Sequence, residues 1–496
     1  MFSRLLAIFA VLVAIVAGPI AMQPDADTLE ENADARLIII TPHNQTIRRA
    51  FSESFARHMK AKDGRNVYID WRVPGGTSEV RRMLDSEFAA AAERGRDGIG
   101  IDLFFGGGAY DFDVQADKNQ LLPLRIFTDQ PELFRDGIVP TSFSGEKYYH
   151  PRGLWIGVCL SSFGIVYNKE TYARLGIAAA PTRWEDLADP RLAGQIALSD
   201  PTKSGSVNKA FEMLVQEQMQ LAIAAVPADA PDPARAKAQA IQQGWMRGLQ
   251  LIQRIGANAR YFTDSSVQIP LDVAQGNAAA GMCIDFYGRT YNEQVRRPDG
   301  SSRIEYFTPV GGSSVSVDPV GILRGAPNRE LAEEFVHFLL TPEAQRIWNQ
   351  RPGTPGAPPS ALRRLPLRTD VYTPADLAIY SDPTALPYEN TGGFVYKPEL
   401  TESAFNALAT IIQAMCLDSH HELKEAWAAL IEAGFPPQAT AAFSDVSIAS
   451  YENATGFIRE TLRGKRRIEI VEMQKRLGEN FRENYRRAIS LAREGR

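Results

Sequence analysis

A chain of 496 residues with 44% hydrophobic content can bury at least two cores, and nothing in its composition marks disorder. A formal net charge of -5 and a pI of about 5.9 leave no basic surplus for a nucleic-acid partner. Three cysteines, Cys159, Cys283 and Cys416, cannot all pair within one chain, and no C-x-x-C spacing occurs, so neither a zinc ribbon nor a dithiol redox centre is expected.

The N-terminus opens with Arg4, an apolar run from Leu5 to Met22 and then an acidic polar stretch. This is the layout of an export signal, and residues 1–24 are read as a signal or an N-terminal anchor. The run is about long enough to span a bilayer. Pro19 follows the small residues Ala17 and Gly18, which spoils a clean cleavage site, and no lipoprotein cysteine is present. An uncleaved segment would anchor the chain to a membrane. No later segment reads as a span.

Next, "ARLIIITPHN" predicts a buried strand ending in a loop. Ile47, Phe51, Phe55 and Met59 then recur every fourth residue, one face of a helix. "NVYIDWRV" alternates as a second strand, Val80, Met83, Leu84 and Phe88 face inward from a second helix, and "IDLFFGGG" is a third strand ending in glycines. Such a β-α-β-α-β order predicts a doubly wound parallel layer with ligand loops at the carboxyl ends of its strands. The middle of the chain repeats the style in "GQIALSDPTKSGSVNKAFEML" and "VAQGNAAAGMCIDFYG". An Ala/Pro/Asp-rich stretch, 215–240, reads as an insertion, and the last hundred residues read as helices with a basic terminal segment.

The loop "SDPTKSGS" is neither a P-loop nor a dinucleotide fingerprint, because no G-K-[ST] follows its glycine. It offers hydroxyls at Ser204 and Ser206 beside Gly205, at a helix start that presents free N–H donors and a positive dipole end. The plain alternative is an ordinary N-cap. Asn44, Thr77, Ser78, Ser265 and Ser266 are further neutral donors on turn or glycine-containing loops, and Gly76 and Gly107 allow close backbone approach. His420-His421 is read as a packed or solvated pair. No G-x-S-x-G elbow and no H-E-x-x-H occurs, so no hydrolase constellation is visible.

In order along the chain, "TPHN", "VPGGTSEV", "DLFFGGG", "FGIVYNKE", "WEDLADPRLAGQIALSDPTKSGS", "VAQGNAAAGMCIDFYG" and "ILRGAPNRELAEEFVHFLLTPEAQ" resemble the extracellular solute-binding proteins of ABC importers. The likeness is to the cluster that binds ferric iron, thiamine and phosphonates or sugar phosphates with the type 2 periplasmic-binding fold, and it runs from about Arg36 to Pro359. It implies an α/β protein of two doubly wound lobes joined by a hinge. The expected parts are lobe 1 in 36–154 and 306–400, lobe 2 in 155–305, and a helical extension in 401–496.

The resemblance implies a ligand clamped by His43, Asn44, Gly76, Thr77, Ser78, Gly107, Ser204, Gly205, Ser206, Ser265, Ser266, Phe286 and Tyr287. Phe286 and Tyr287 could stack on a ring or close over a chain. Ferric-binding members use a histidine, a carboxylate and two adjacent tyrosines, whereas the pair here is Phe286-Tyr287. The implied function is capture of an organic solute bearing a phosphate, phosphonate or similar group, thiamine-like or phosphonate-like, for an ABC importer permease in the periplasm. No cofactor, metal or catalytic residue is implied. Ferric transport, a membrane-retained ligand sensor and a secreted hydrolase are the alternatives.

Overall fold

The computed structural model describes residues 30–389, 393–464 and 466–496. The expected export segment, 1–24, lies outside the described residues. In chain order the strands are β1 (Ala35–Ile40), β2 (Val67–Arg72), β3 (Leu103–Phe105), β4 (Leu121–Leu122), β5 (Ser142–Phe143), β6 (Glu146–Lys147), β7 (Ile156–Ser161), β8 (Phe163–Asn168), β9 (Ile196–Ser199), β10 (Ala259–Thr263), β11 (Ala280–Ile284), β12 (Ile304–Phe307), β13 (Ser316–Leu323) and β14 (Leu365–Pro366). The helices that position the site are α1 (Gln45–Asp63), α2 (Thr77–Glu93), α3 (Ala109–Asp117), α4 (Gly205–Ala224), α5 (Pro233–Ala257), α6 (Gln268–Gln275) and α7 (Asp285–Gln294).

Two sheets organise two lobes. The first has seven strands in the order β14-β7-β13-β3-β1-β2, with β4 paired to β13. Its β1, β2 and β3 are parallel, and β13 returns antiparallel beside β3. The second has five strands in the order β10-β9-β11-β8-β12, parallel across β10, β9 and β11. Each sheet has its own apolar core. Leu37, Ile39, Phe51, Phe55 and Leu103 are buried in the first, and Ile165, Leu198, Phe211 and Met282 in the second. The helix spacing expected at Ile47, Phe51, Phe55 and Met59 is realised in α1, whose inner face is buried. Asn44 starts α1 by accepting from the Ile47 N–H at 3.0 Å, and Gly64 ends it in the left-handed region.

The lobe boundaries differ from the expectation in two places. Strand β7 sits in the first sheet, paired with β13 and β14, so the chain enters lobe 2 at Ser162 rather than at 155. Every residue of β7 and β8 is buried, and a strand buried on both faces does not state which sheet it will join. The return runs through 308–315, between β12 and β13. The C-terminal region is helical as expected, but it packs as part of lobe 2 and does so from before 401. From Phe394 to Ala492 most of its buried apolar residues belong to the lobe 2 core. Within it, Pro398–Leu417 is long and apolar enough by composition to cross a membrane, contrary to the reading that nothing beyond the N-terminus is, but most of it is buried against lobe 2. The stretch read as an insertion is the packed hairpin of α4 and α5, with only 225–232 as its turn.

Candidate functional site

The loops at the carboxyl ends of β1, β2 and β3 face those that follow β9, β10 and β11. Between them lies a cavity of about 490 Å³. Lobe 1 contributes His43, Asn44, Gly76, Thr77 and Gly107, and lobe 2 contributes Ser204, Gly205, Ser206, Ser265, Ser266, Phe286 and Tyr287. Ser78 is the expected residue that does not line it; its side chain is buried in the first turn of α2. Helices α1, α2, α4, α6 and α7 all begin at this cavity, so several helix amino ends point into one space.

The lobes are closed in this structure. A Cβ added to Gly76 of lobe 1 would stand 2.6 Å from the Lys203 carbonyl oxygen of lobe 2. One added to Gly205 would meet the Thr77 Cβ at 3.3 Å. Gly76 therefore marks where backbone closes on backbone, and Gly205 where the Thr77 side chain closes on it. Glu79 reaches back to accept from the Gly76 N–H at 2.6 Å, which fixes the start of α2 beside the lip.

The loop hydroxyls divide by role. Ser204 is the N-cap of α4, its Oγ accepting from the Val207 N–H at 3.4 Å, and its side chain is buried. Ser206 lines the cavity and makes no side-chain hydrogen bond among the described residues. Thr202 is occupied by Asp200, whose Oδ1 accepts from its hydroxyl at 2.7 Å. Lys203 is held by Asp264 at 2.6 Å.

The floor of the cavity carries charge that sequence patterns did not single out. Asp318 on β13 accepts from Arg364 Nη1 at 2.5 Å and from His43 Nε2 at 3.1 Å. Arg364 also donates to the Ser161 hydroxyl at 2.9 Å and lies 4.1 Å from the centroid of the Phe286 ring. Burial pushes the His43 imidazole below its usual range, opposed by Asp318, so the ring is neutral at pH 7 and donates through Nε2. Arg48, in the first turn of α1, forms no ion pair with an acid among the described residues, and its Nε has no partner. Burial also pushes the Tyr287 phenol up, opposed by the neighbouring Asn44 side chain, so it keeps its proton.

Arg48, Arg364 and Asp318 are the site residues that sequence reasoning missed. Arg48 falls one residue after the first apolar position of α1, where an arginine reads as a solvated face. Arg364 follows a proline-rich stretch far from any motif, and only the pairing of β14 with β7 brings it under the cleft. Lys203 was in view in its loop but carried no signal of its own. Cys159, Cys283 and Cys416 are buried free thiols, consistent with an inert role.

Comparison with known proteins places this geometry. A family model described as bacterial extracellular solute-binding protein matches residues 127–374, half of the chain. An uncharacterized protein of Haemophilus influenzae is 24% identical over 347 residues, covering 69% of this chain and 82% of its own. The phosphoglycerate transport regulatory protein PgtC of Salmonella typhimurium is 25% identical over 196 residues, covering 40% of this chain and 41% of its own. The periplasmic binding protein AfuA from Actinobacillus pleuropneumoniae, solved with exogenous fructose-6-phosphate bound, superposes with a TM-score of 0.51 at 21% identity over 68% of this chain and 86% of that one. Two α/β lobes closing on a central cavity define the type 2 periplasmic-binding fold. The chain belongs to the bacterial extracellular solute-binding proteins, the capture components of ABC importers. It is thus an extracytoplasmic transport protein that serves a permease, and not an enzyme.

Proposed function

We propose that the captured solute is an organic anion carrying a phosphate or phosphonate group. The observation that supports this most is Arg48, a guanidinium without an acid partner at a cavity ringed by helix amino ends from both lobes. An anion placed there gains charge-assisted hydrogen bonds from Arg48, the Ser206 hydroxyl and first-turn N–H groups. Arg364 and the Phe286 and Tyr287 rings then offer a flat face to the carbon skeleton. Two of the relatives point the same way, since one is named for phosphoglycerate transport and the other was solved with fructose-6-phosphate.

The chemistry of the site disfavours ferric iron. Asp318 is already bound by two cationic or donating groups, one tyrosine of the expected pair is Phe286, and Tyr287 holds its proton. No cluster of three potential histidine, cysteine or carboxylate ligands exists among the described residues. A thiamine cation without a phosphate would meet Arg48 and Arg364 and gain nothing from either.

Titration calorimetry with fructose 6-phosphate, 3-phosphoglycerate, phosphonoacetate, thiamine and ferric citrate tests the reading. At least one phosphorylated or phosphonylated compound should bind, and Arg48→Met should weaken it tenfold or more, as expected for a lost charge-assisted bond of about 1.5–3 kcal/mol. Binding of ferric ion or thiamine alone, undiminished in Arg48→Met, would overturn it.

A further inference from the structure

Besides the crossings at Ser162 and at 308–315, the chain passes from lobe 1 to lobe 2 once more, between Tyr388 and Phe394. Ala385 and Tyr388 pack on the lobe 1 core, and from Phe394 onward most of the buried apolar residues belong to lobe 2. The segment that follows the crossing is tied along helix α4. Gln220 Nε2 donates to the Val395 carbonyl at 2.9 Å. Gln216 accepts from the Lys397 N–H at 2.7 Å and donates to its carbonyl at 2.9 Å. Asn208 Nδ2 donates to the Phe405 carbonyl at 2.9 Å.

From this lobe 2 base the same segment reaches lobe 1 at two places. The Tyr396 N–H donates to the Ser144 carbonyl at 2.8 Å. Asn406 Nδ2 donates to the Tyr110 hydroxyl at 2.8 Å, and Asn406 Oδ1 accepts from Arg81 Nη2 at 3.1 Å. Tyr110 also lies against Phe405, with ring centroids 4.5 Å apart. Beneath the segment, Lys209 of lobe 2 pairs with Glu146 of lobe 1 at 3.1 Å, and the Tyr396 ring covers its ammonium at 3.4 Å. Tyr396 and Phe405 also wall a small inner chamber of about 70 Å³, which shares Thr77, Gly107 and Ser206 with the ligand cavity.

We propose that residues 394–406 form a strap that holds the lobes together beside the cleft, with Asn406 as the positioning residue that sets the balance of open and closed forms. Apparent affinity scales with the fraction of protein already in the binding-competent form, so a strap that favours closure tightens binding without touching solute. Opening the lobes pulls α2 and α3 away from α4 and must break the bonds of Asn406 to Tyr110 and Arg81. Because Asn406 is exposed, its replacement leaves the core of either lobe intact.

The test measures the lobe-to-lobe distance without any ligand, so its outcome does not depend on which solute binds. Spin labels are placed by Glu87→Cys on α2 and Gln275→Cys on α6, both exposed, while the three native thiols are buried. Pulsed dipolar spectroscopy should show the closed-to-open ratio falling about tenfold or more in Asn406→Ala, which loses two exposed cross-lobe hydrogen bonds, one of them to a guanidinium. Asn406→Asp, which turns the Arg81 contact into an ion pair and can still accept from the Tyr110 hydroxyl, should move the ratio the other way. Opposite shifts from the two variants support the strap. Superimposable distance distributions in parent and Asn406→Ala would overturn it, as would a lowered melting temperature in that variant with the distances unchanged.

Discussion

Ser204 and Ser206 stand two residues apart in one loop, yet their hydroxyls face different partners. The Ser204 oxygen is spent on the Val207 N–H, whereas Ser206 opens on the cavity. Ser204→Ala should therefore cost about 1 kcal/mol of folding stability, the usual worth of an N-cap, and leave affinity nearly unchanged. Ser206→Ala should leave the melting temperature in place and weaken an anionic solute severalfold or more, as the loss of a hydrogen bond to charge requires. Thermal melts and calorimetry on the two single variants separate the roles. Equal effects of both substitutions on affinity would remove the division. The same logic explains why His43 was legible only in part. Its position in "TPHN" marks a site loop, but its buried partner Asp318 lies on a strand of another motif, and that partner decides which ring nitrogen is occupied.

At the level of elements, the starts of α2 and α4 meet across the cleft, and small residues make that possible. Gly76 has ordinary φ and ψ for a residue before a helix, so no backbone strain forbids a side chain there. What forbids it is the Lys203 carbonyl of the opposite lobe, 2.6 Å from where the Cβ would stand. Gly76→Ala should thus leave the unliganded protein as stable as before and prop the lips apart. The expected result is faster solute release with little change in melting temperature, read by stopped-flow displacement and by thermal melts. A release rate equal to that of the parent would show that the lips need not meet this closely. The helix amino ends themselves were foreseeable from strand-loop-helix patterns, but their convergence on one cavity required both sheets to be placed.

For the whole molecule, two lobes on crossing strands with a shared cavity imply a clamp that solute draws shut. The C-terminal helices add a load to that motion, since they are continuous with the lobe 2 core and swing with it. Small-angle scattering should give a smaller radius of gyration with bound solute than without. The difference should be modest while the strap is intact and larger in Asn406→Ala, whose unliganded form opens further. No change on saturation in either protein would argue that the lobes do not move. Lys209 belongs to this scale as well, because it is tied to Glu212 at 3.0 Å within lobe 2 and to Glu146 at 3.1 Å across the lobes.

Local patterning sufficed for the strands of the lobe 1 sheet up to β3, the helices between them and the loops that line the cavity, because apolar periodicity and helix-start chemistry are properties of neighbouring residues. Twelve of the thirteen residues expected around the ligand line one cavity, and Ser78 does not, because a helix turn rotates it into the interior rather than toward the cleft. What remained hidden depends on distance through space. Strand β7 is buried along both faces and joins the first sheet only because β13 and β14 are there to receive it. Arg364 enters the site through that same pairing, and residues 394–406 became a bridge only once the lobe 2 core had taken in the helices beyond them. Charge complementarity and lobe contacts are sums over residues hundreds of positions apart, and no stretch of the chain carries them alone.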